Sequence, residues 1–317
     1  MSNIETPFFT LQEICHGVYA AVAKKGEGAW SNSGFVDLGT ELVVFDSFST
    51  PAAAKELRNI AEKITGKKVK YLVNSHYHGD HVFGNQVFED TTILSTSKTR
   101  NLFIERNVLR EIEEEKEEMS AYLQDLRNQM ENSVDEVISL SIQNQYNEMK
   151  KVYEALHELK MVYPTVTFEE KLVIHGTERD AHLYALGGGH TPCDTIMYVP
   201  QEKVAFMGDL ITDGIHFPIY NPIEFISILT EAKSMDIETV IPGHGQVNTM
   251  NAFDTVIQYI TDIVEQAKDA IQLNKSMNDF QSSFIIRDLY KDWLGQSGVY
   301  RNVESVYEYL KENLYGA

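Results

Sequence analysis

The chain has few of the features that mark secreted and membrane-spanning proteins. It has only two cysteines, Cys15 and Cys193, in 317 residues, which excludes a disulfide framework. No apolar run approaches the roughly 18 residues that a transmembrane helix needs. The first residues lack the basic and apolar regions of a signal peptide. We therefore expect a cytoplasmic protein with no membrane partner.

Positive charge is also scarce. The chain has 27 lysines and arginines against 47 aspartates and glutamates, which gives a formal net charge of −20. A surface of this charge repels polyanions over most of its area. We expect no nucleic-acid partner, and a small-molecule substrate.

Glycine and proline are absent from residues 97–160, a stretch rich in Glu, Lys, Leu, Met and Gln. Apolar residues recur there at helical spacing, and Ser133–Glu136 has the pattern of a capping box. The stretch predicts a helical hairpin inserted between two halves of the fold. Three roles remain open for it: packing on the core, covering a site as a lid, or forming a homodimer interface.

The chain concentrates metal-binding side chains in one short segment. Residues 76–81 read His-Tyr-His-Gly-Asp-His, and they follow an apolar run, Val69–Val73, that predicts a buried strand. In extended backbone, residues i and i+2 share a face, so His76 and His78 can bind one ion. Asp80 and His81 follow as the chain turns, and they are better placed to bind a second ion.

Three further apolar runs, each typical of a short strand, end in a histidine or an aspartate flanked by glycine: His190, Asp209 and His244. With the four residues of the first segment, they make seven potential ligands without a thiolate. Structural zinc sites are normally closed, four-coordinate and rich in cysteine. The donor set therefore favours a catalytic site.

The order of these motifs, HxHxDH, GHT, GD and PGHG, resembles the metallo-β-lactamase-fold hydrolase superfamily, over residues 14–96 and 164–260. The segment around GHTPCD is most similar to the quinoprotein-relay-type zinc hydrolase branch. The resemblance implies an α/β fold, a four-layer αββα sandwich. We expect a single domain over residues 1–317, with the helical insertion at 97–160 and a helical C-terminal segment at 251–317.

The resemblance also implies the roles of the site residues. Each of two metals would be bound by three residues of its own and one shared residue: His76, His78 and His190 for the first, Asp80, His81 and His244 for the second, and Asp209 for both. Asp46 matches an aspartate that supports the ligand histidines from behind, and Asp194 is a further candidate for such support.

Imidazole and carboxylate ligands suit zinc, so we expect two Zn²⁺ per chain, with iron or manganese as alternatives. A metal-bridging hydroxide oriented by Asp80 is the expected nucleophile, which makes Asp80 and Asp209 the candidate catalytic residues. The expected reaction is hydrolysis of an ester, thioester, lactone or amide in a small molecule.

Other functions remain open. They are β-lactamase activity, a sulfur oxygenase of the same fold that uses one iron, and a metal-loaded scaffold without catalysis. Metallo-β-lactamases proper typically have cysteine or serine where this chain has Asp209, which weakens the first of these.

Candidate substrate-binding residues lie near the same strand ends: Trp30, Tyr77, His216, Phe217 and Tyr220. Trp30 lies in a glycine-containing loop that resembles the substrate-flanking hairpin of the superfamily, and its ring would suit an apolar group. The alternative is that each of these side chains belongs to the core.

Overall fold

Two β-sheets lie at the centre of the computed structural model, which describes residues 3–315. The first sheet has eight strands in sequence order: β1 (Ile4–Glu5), β2 (Phe9–Cys15), β3 (Val18–Ala23), β4 (Ser33–Asp37), β5 (Leu42–Phe45), β6 (Val69–Val73), β7 (Thr92–Thr96) and β8 (Val166–Phe168). The second sheet has six strands in the order β14-β13-β12-β11-β10-β9: β9 (Lys171–Ile174), β10 (Ala181–Ala185), β11 (Thr195–Val199), β12 (Val204–Phe206), β13 (Thr239–Ile241) and β14 (Asn248–Thr249). The predicted α/β sandwich is confirmed.

The helices of the described part of the chain are α1 (Pro51–Thr65), α2 (Gly79–Val82), α3 (Ser97–Arg106), α4 (Ile112–Asn132), α5 (Glu136–Ala155), α6 (Pro222–Lys233), α7 (Asn251–Gln272), α8 (Met277–Ser283) and α9 (Gln296–Leu310). Short 3₁₀ turns follow α2 and β12, and a π-helical turn follows α9. Between residues 3 and 315, no helix combines the length and the apolar character needed to cross a membrane.

Alternation along the strands separates the layers of the core. In β5, Val43 and Phe45 face the second sheet, whereas Leu42 and Val44 face α1, as the two-residue period of a strand requires. The outer face of the second sheet is covered by α6, α7 and α9. Each fully buried valine, leucine or phenylalanine side chain contributes about 2 kcal/mol to the free energy of folding through its removal from water.

Local signals set the bounds of α1. Pro51 opens the helix, Thr50 accepts a hydrogen bond from the N–H of Ala53 at 3.4 Å, and Gly66 ends it at φ +70°. The predicted strand over 69–73 is confirmed as β6.

The predicted helical hairpin is present as α4 and α5, but two of its expected details are wrong. The helical spacing continues past residue 106, yet α3 ends at Arg106. The next residue, Asn107, has a non-helical backbone, and its side chain donates to the carbonyl oxygen of Tyr77 at 2.7 Å. The cap of α5 is Asp135, whose carboxylate accepts the N–H of Ile138 at 2.9 Å, so the capping box does not form.

Strand directions bring five strand ends to one edge. β5 runs parallel to β6, and β12 runs parallel to β13. β10 points the same way as β12, because both are antiparallel to β11. The residues that follow these strands therefore gather at a common edge of the sandwich.

Candidate metal centre

The structure brings the seven sequence-predicted ligands into two adjacent groups. The ligand atoms within each group lie no more than 4.8 Å from one another: His76, His78, His190 and Asp209 form the first group, and Asp80, His81 and His244 the second. The first segment supplies four of them from the end of β6, and the second sheet supplies the other three.

Three ring nitrogens converge in the first group. Nδ1 of His78 lies 3.0 Å from Nε2 of His76 and 3.1 Å from Nε2 of His190. Oδ2 of Asp209 completes the group at 3.3 Å from Nε2 of His190 and 3.9 Å from Nε2 of His76. His78 thus faces the centre of this group through Nδ1, whereas His76 and His190 face it through Nε2.

The second group faces the other oxygen of Asp209. Oδ1 of Asp209 lies 3.2 Å from Nε2 of His81 and 3.4 Å from Nε2 of His244. Oδ2 of Asp80 lies 3.6 Å and 3.3 Å from the same two nitrogens. The carboxylate of Asp209 is therefore divided, with one oxygen directed at each group.

Hydrogen bonds on the outer side of the rings determine which nitrogen carries the lone pair. Nδ1 of His190 donates to the carbonyl oxygen of Pro218 at 2.9 Å, and Nδ1 of His244 donates to that of Trp30 at 3.1 Å. A carbonyl oxygen can only accept, so each neutral ring has its lone pair on Nε2, directed into the cluster.

Asp46 supports two ligand histidines from behind. Its Oδ2 lies 2.8 Å from Nδ1 of His81 and accepts the hydroxyl of Ser75 at 2.7 Å. Its Oδ1 accepts the N–H of Ser75 at 2.7 Å, and Oγ of Ser75 lies 2.9 Å from Nδ1 of His76. Burial raises the pKa of Asp46, and its contact with His81 opposes that rise. Asp46 has a φ of +62°, an unfavourable backbone conformation that aims its carboxylate at this network.

Asp194 lies near His190, as its position in the sequence suggests, but does not hydrogen bond to the imidazole. Its carboxylate accepts the N–H of Gly189 at 3.2 Å and the N–H of Thr191 at 3.0 Å. Burial raises its pKa to about 7. Asp194 therefore holds the backbone loop that presents His190.

The two groups differ in electrostatics. Burial lowers the pKa of His190 to about 4, so its ring is neutral at pH 7. Burial opposes charge on His244 as well, but the carboxylates of Asp209 and Asp80 raise its pKa to about 10. Burial favours the neutral form of Asp80, yet His81 and His244 lower its pKa to about 2. The second group therefore holds ionised carboxylates that attract positive charge.

The arrangement fits metal ions. Two buried atoms that face the cluster, Nε2 of His81 and Oδ1 of Asp209, have no hydrogen-bond partner within the described residues. The carboxylates of Asp209 and Asp80 draw protons onto His81 and His244, and a bound cation would take the place of those protons. Imidazole nitrogen with carboxylate oxygen is a donor set for zinc, and iron and manganese also accept it.

The candidate substrate-binding residues do not all line one cavity. Trp30 and His216 line a cavity of about 320 Å³ beside the centre. Tyr77 lies elsewhere, with its ring 4.8 Å from that of His78. Tyr220 is exposed, and its N–H donates to the carbonyl oxygen of Gly189. Phe217 is buried, and its ring packs in the core with residues of α6 and α7.

Sequence reasoning missed Glu148 on α5. Its carboxylate is 1% exposed and accepts the N–H of Gly26 at 2.6 Å and that of Gly28 at 3.0 Å. Burial raises the pKa of Glu148 to about 7. Glycine is needed for this approach, since a Cβ at Gly26 would lie 2.8 Å from Cβ of Asn147. Glu148 is one of many glutamates in residues 97–160, so nothing in the sequence distinguishes it as the partner of the Gly26 loop.

The loop held by Glu148 leads to a metal ligand. Trp30 follows Gly28 by two residues, has a φ of +63°, and accepts the ring N–H of His244 through its carbonyl oxygen. The inserted hairpin is thus joined to the cluster through one short loop.

Comparison with known proteins identifies the family. A profile of the metallo-beta-lactamase superfamily matches residues 30–244. Among solved structures, the stereoselective inverting sec-alkylsulfatase Pisa1 from Pseudomonas sp. is similar with a TM-score of 0.66 and 16% identity, over 96% of this chain and 50% of that one. The chain thus spans about half the length of the alkylsulfatase.

Two metallo-beta-lactamases are also similar in fold. The protein from Erythrobacter litoralis has a TM-score of 0.58 and 13% identity over 82% of this chain and 100% of its own. The protein from Pontibacter korlensis has a TM-score of 0.54 and 15% identity over 82% and 97%. The chain belongs to the metallo-beta-lactamase superfamily, and it has the fold and the histidine–aspartate cluster of a metal-dependent hydrolase.

Proposed function

We propose that this chain is a dinuclear zinc-dependent hydrolase of a small-molecule ester, thioester, lactone or amide. The observation that carries the proposal is the divided carboxylate of Asp209, with Oδ2 in the first ligand group and Oδ1 in the second. A carboxylate shared in this way is typical of hydrolytic sites with two ions.

The chain's own residues hold and orient the reactants. His76, His78 and His190 would hold one ion, Asp80, His81 and His244 the other, and Asp209 both. Bound zinc supplies Lewis acidity and lowers the pKa of water toward neutrality. Asp80 is ionised at neutral pH, so its carboxylate would accept a hydrogen bond from a water at the site and orient it. Asp46 and the carbonyl oxygen of Trp30 fix the rings of His81 and His244.

The alternatives fare differently. The second ligand group supports two ions over the single iron of a sulfur oxygenase. An aspartate at position 209 disfavours a dedicated β-lactamase. The alkylsulfatase has the same fold at 16% identity, which does not establish a shared substrate. A sec-alkyl sulfate is therefore included among the substrates to test.

The test combines metal analysis with a substrate panel. We expect about two zinc ions per chain and turnover of at least one carbonyl ester, thioester or lactone from a panel that also holds a sec-alkyl sulfate, a phosphodiester and a β-lactam. Asp209→Ala should lower kcat at least 1,000-fold, because it removes the shared ligand (about 4 kcal/mol). Asp254→Ala, an exposed substitution on α7, is the control.

Two outcomes would overturn the proposal. One is a fully zinc-loaded chain that turns over no member of the panel. The other is a folded Asp209→Ala variant with unchanged kcat, which would favour the non-catalytic scaffold for the cluster.

A further inference from the structure

A cavity of about 320 Å³ lies where the inserted hairpin meets α9. Its apolar wall includes Trp30, Ile215 and Leu294, and its polar wall includes Asn144 and Arg301. This volume is at the lower end of the range for small-molecule pockets, about 300–1,000 Å³.

The cavity lies beside the metal centre. Trp30 lines it and accepts the ring N–H of His244, and Pro218 lines it and accepts the ring N–H of His190. Each of these two wall residues therefore orients one candidate metal ligand: Pro218 orients His190 of the first group, and Trp30 orients His244 of the second. An adjoining cavity shares Trp30 with the first and is lined by His244 itself.

The hairpin forms the wall opposite the core. Oγ of Ser141 on α5 accepts the N–H of Gly295 at 2.6 Å, just before α9 begins. The side-chain amide of Gln145, also on α5, donates to the hydroxyl of Tyr122 on α4 at 2.6 Å. Without α4 and α5, this side of the cavity would be open to solvent.

Arg301 is the charged residue of this wall. Between residues 3 and 315, no ion pair or hydrogen bond engages its guanidinium, and no acidic residue is found among the cavity's described lining. An anion in this cavity therefore meets no like charge from the described lining, although the chain as a whole has 47 acidic residues. Burial lowers the pKa of His216 to about 4, which leaves Arg301 as the positive charge of the lining at neutral pH.

Asn144 adds unused hydrogen-bond capacity. Its Oδ1 is buried and has no partner within the described part of the chain. A buried polar atom without a partner is costly, and a donor that enters the cavity, from water or from a ligand, removes that cost. Asn144 also lines the adjoining cavity, so it borders both the cavity that Arg301 lines and the one that His244 lines.

We propose that this cavity binds the non-reacting part of the substrate, and that this part is an apolar segment ending in an anionic group, such as a carboxylate, held by Arg301. Arg301 is then a specificity-determining residue, and the inserted hairpin is a wall of the substrate pocket. The assignment of the bound molecule as substrate rests on the proposed hydrolase function.

The first test measures anion preference in catalysis. Wild type should hydrolyse the p-nitrophenyl monoester of adipic acid with a kcat/KM about tenfold above that for p-nitrophenyl hexanoate, which lacks the distal carboxylate. Tenfold is the lower end for a hydrogen bond to a charged group, because Arg301 is exposed to solvent. Arg301→Gln should abolish the preference by raising KM for the adipate monoester, and Arg301→Lys should retain part of the preference. Lys55→Gln, an exposed cation on α1, should leave it unchanged.

The second test measures binding without turnover. Octanesulfonate, a poor metal ligand, is titrated calorimetrically into the chain as purified, at measured metal content, with octanol as the neutral comparison. We expect octanesulfonate to bind at least tenfold more tightly than octanol, and Arg301→Gln to remove the difference. Equal affinity of wild type and folded Arg301→Gln for octanesulfonate would overturn the proposal.

The two tests separate the two proposals. If no ester is cleaved but octanesulfonate binding depends on Arg301, the pocket stands and the hydrolase proposal fails. If esters are cleaved and Arg301→Gln changes neither preference nor binding, the hydrolase stands and the pocket proposal fails.

Discussion

At the scale of single residues, the network behind the metal ligands determines how well they are oriented. Asp46 contacts the ring of His81 directly and reaches His76 through Ser75. Partners of this kind fix the tautomer and the angle of a ligand ring, and their loss typically lowers metal affinity 10–100-fold.

We therefore expect Asp46→Asn to weaken zinc binding by about 10–100-fold. Chelator competition measures the affinity, and near-ultraviolet circular dichroism verifies the fold. Ser75→Ala should have a smaller effect, because the contact between Asp46 and His81 remains. Asp90→Asn, which alters an exposed ion pair with Arg58, is the control. Wild-type affinity in a folded Asp46→Asn variant would contradict the assigned role.

At the scale of elements, α5 does more than pack on the core. A buried carboxylate holding two backbone N–H groups of a loop is a specific attachment, and the loop ends at the carbonyl oxygen that orients His244. Burial raises the pKa of Glu148 to about 7, the Asp80 charge adds to that rise, and the hydrogen bonds and His244 oppose it.

This raised pKa predicts how stability depends on pH. The unfolded chain has a glutamate of ordinary pKa, so between that value and about 7 the folded chain binds a proton that the unfolded chain does not. The contribution of Glu148 to stability therefore rises as the pH falls from 8 to 5, by about 2 kcal/mol relative to Glu148→Gln. Chemical denaturation of both proteins at the two pH values measures the difference.

Glu154→Gln is the matched control, since Glu154 is exposed on the same helix. It should follow wild type at both pH values. A constant difference between wild type and Glu148→Gln from pH 8 to 5 would show that Glu148 does not titrate in this range.

At the scale of the whole molecule, the cluster joins the two sheets. Its ligands include His76 and His81 after β6 of the first sheet, and Asp209 and His244 after β12 and β13 of the second. Metal bound by these residues would link the two halves of the sandwich, and a ligand that binds only the folded chain stabilises it by mass action.

Chelation should therefore lower the melting temperature. With free zinc at 100 times the dissociation constant of each site, the loss is about 2.7 kcal/mol per ion, or roughly 4 °C per ion for a chain of this size. Differential scanning calorimetry with and without a chelator measures it. In Asp209→Ala the shift should be much smaller. An unchanged melting temperature of the metal-free wild type would contradict the link.

Much of the fold and the cluster is predictable from the sequence because the signals are local. Val69–Val73 is a strand with the predicted bounds. The segment from His76 to His81 contains four ligand candidates within six residues. Glu148 is not predictable in this way, since it lies 122 residues from Gly26 in the chain. Arg301 is missed for the same reason: only the folded chain shows that α9 meets the hairpin.

The hairpin of α4 and α5 has a consequence for how this chain can be altered. It leaves the core after Asn107 and rejoins it near Leu156, and no residue of the metal cluster lies between these points. Under the pocket proposal, replacing it with a hairpin of another sequence would change which molecules fit beside the centre and would leave the seven candidate ligands in place. The hairpin sequence could therefore be exchanged to alter substrate selectivity, provided that a carboxylate is kept at the position of Glu148, where it accepts the N–H groups of Gly26 and Gly28.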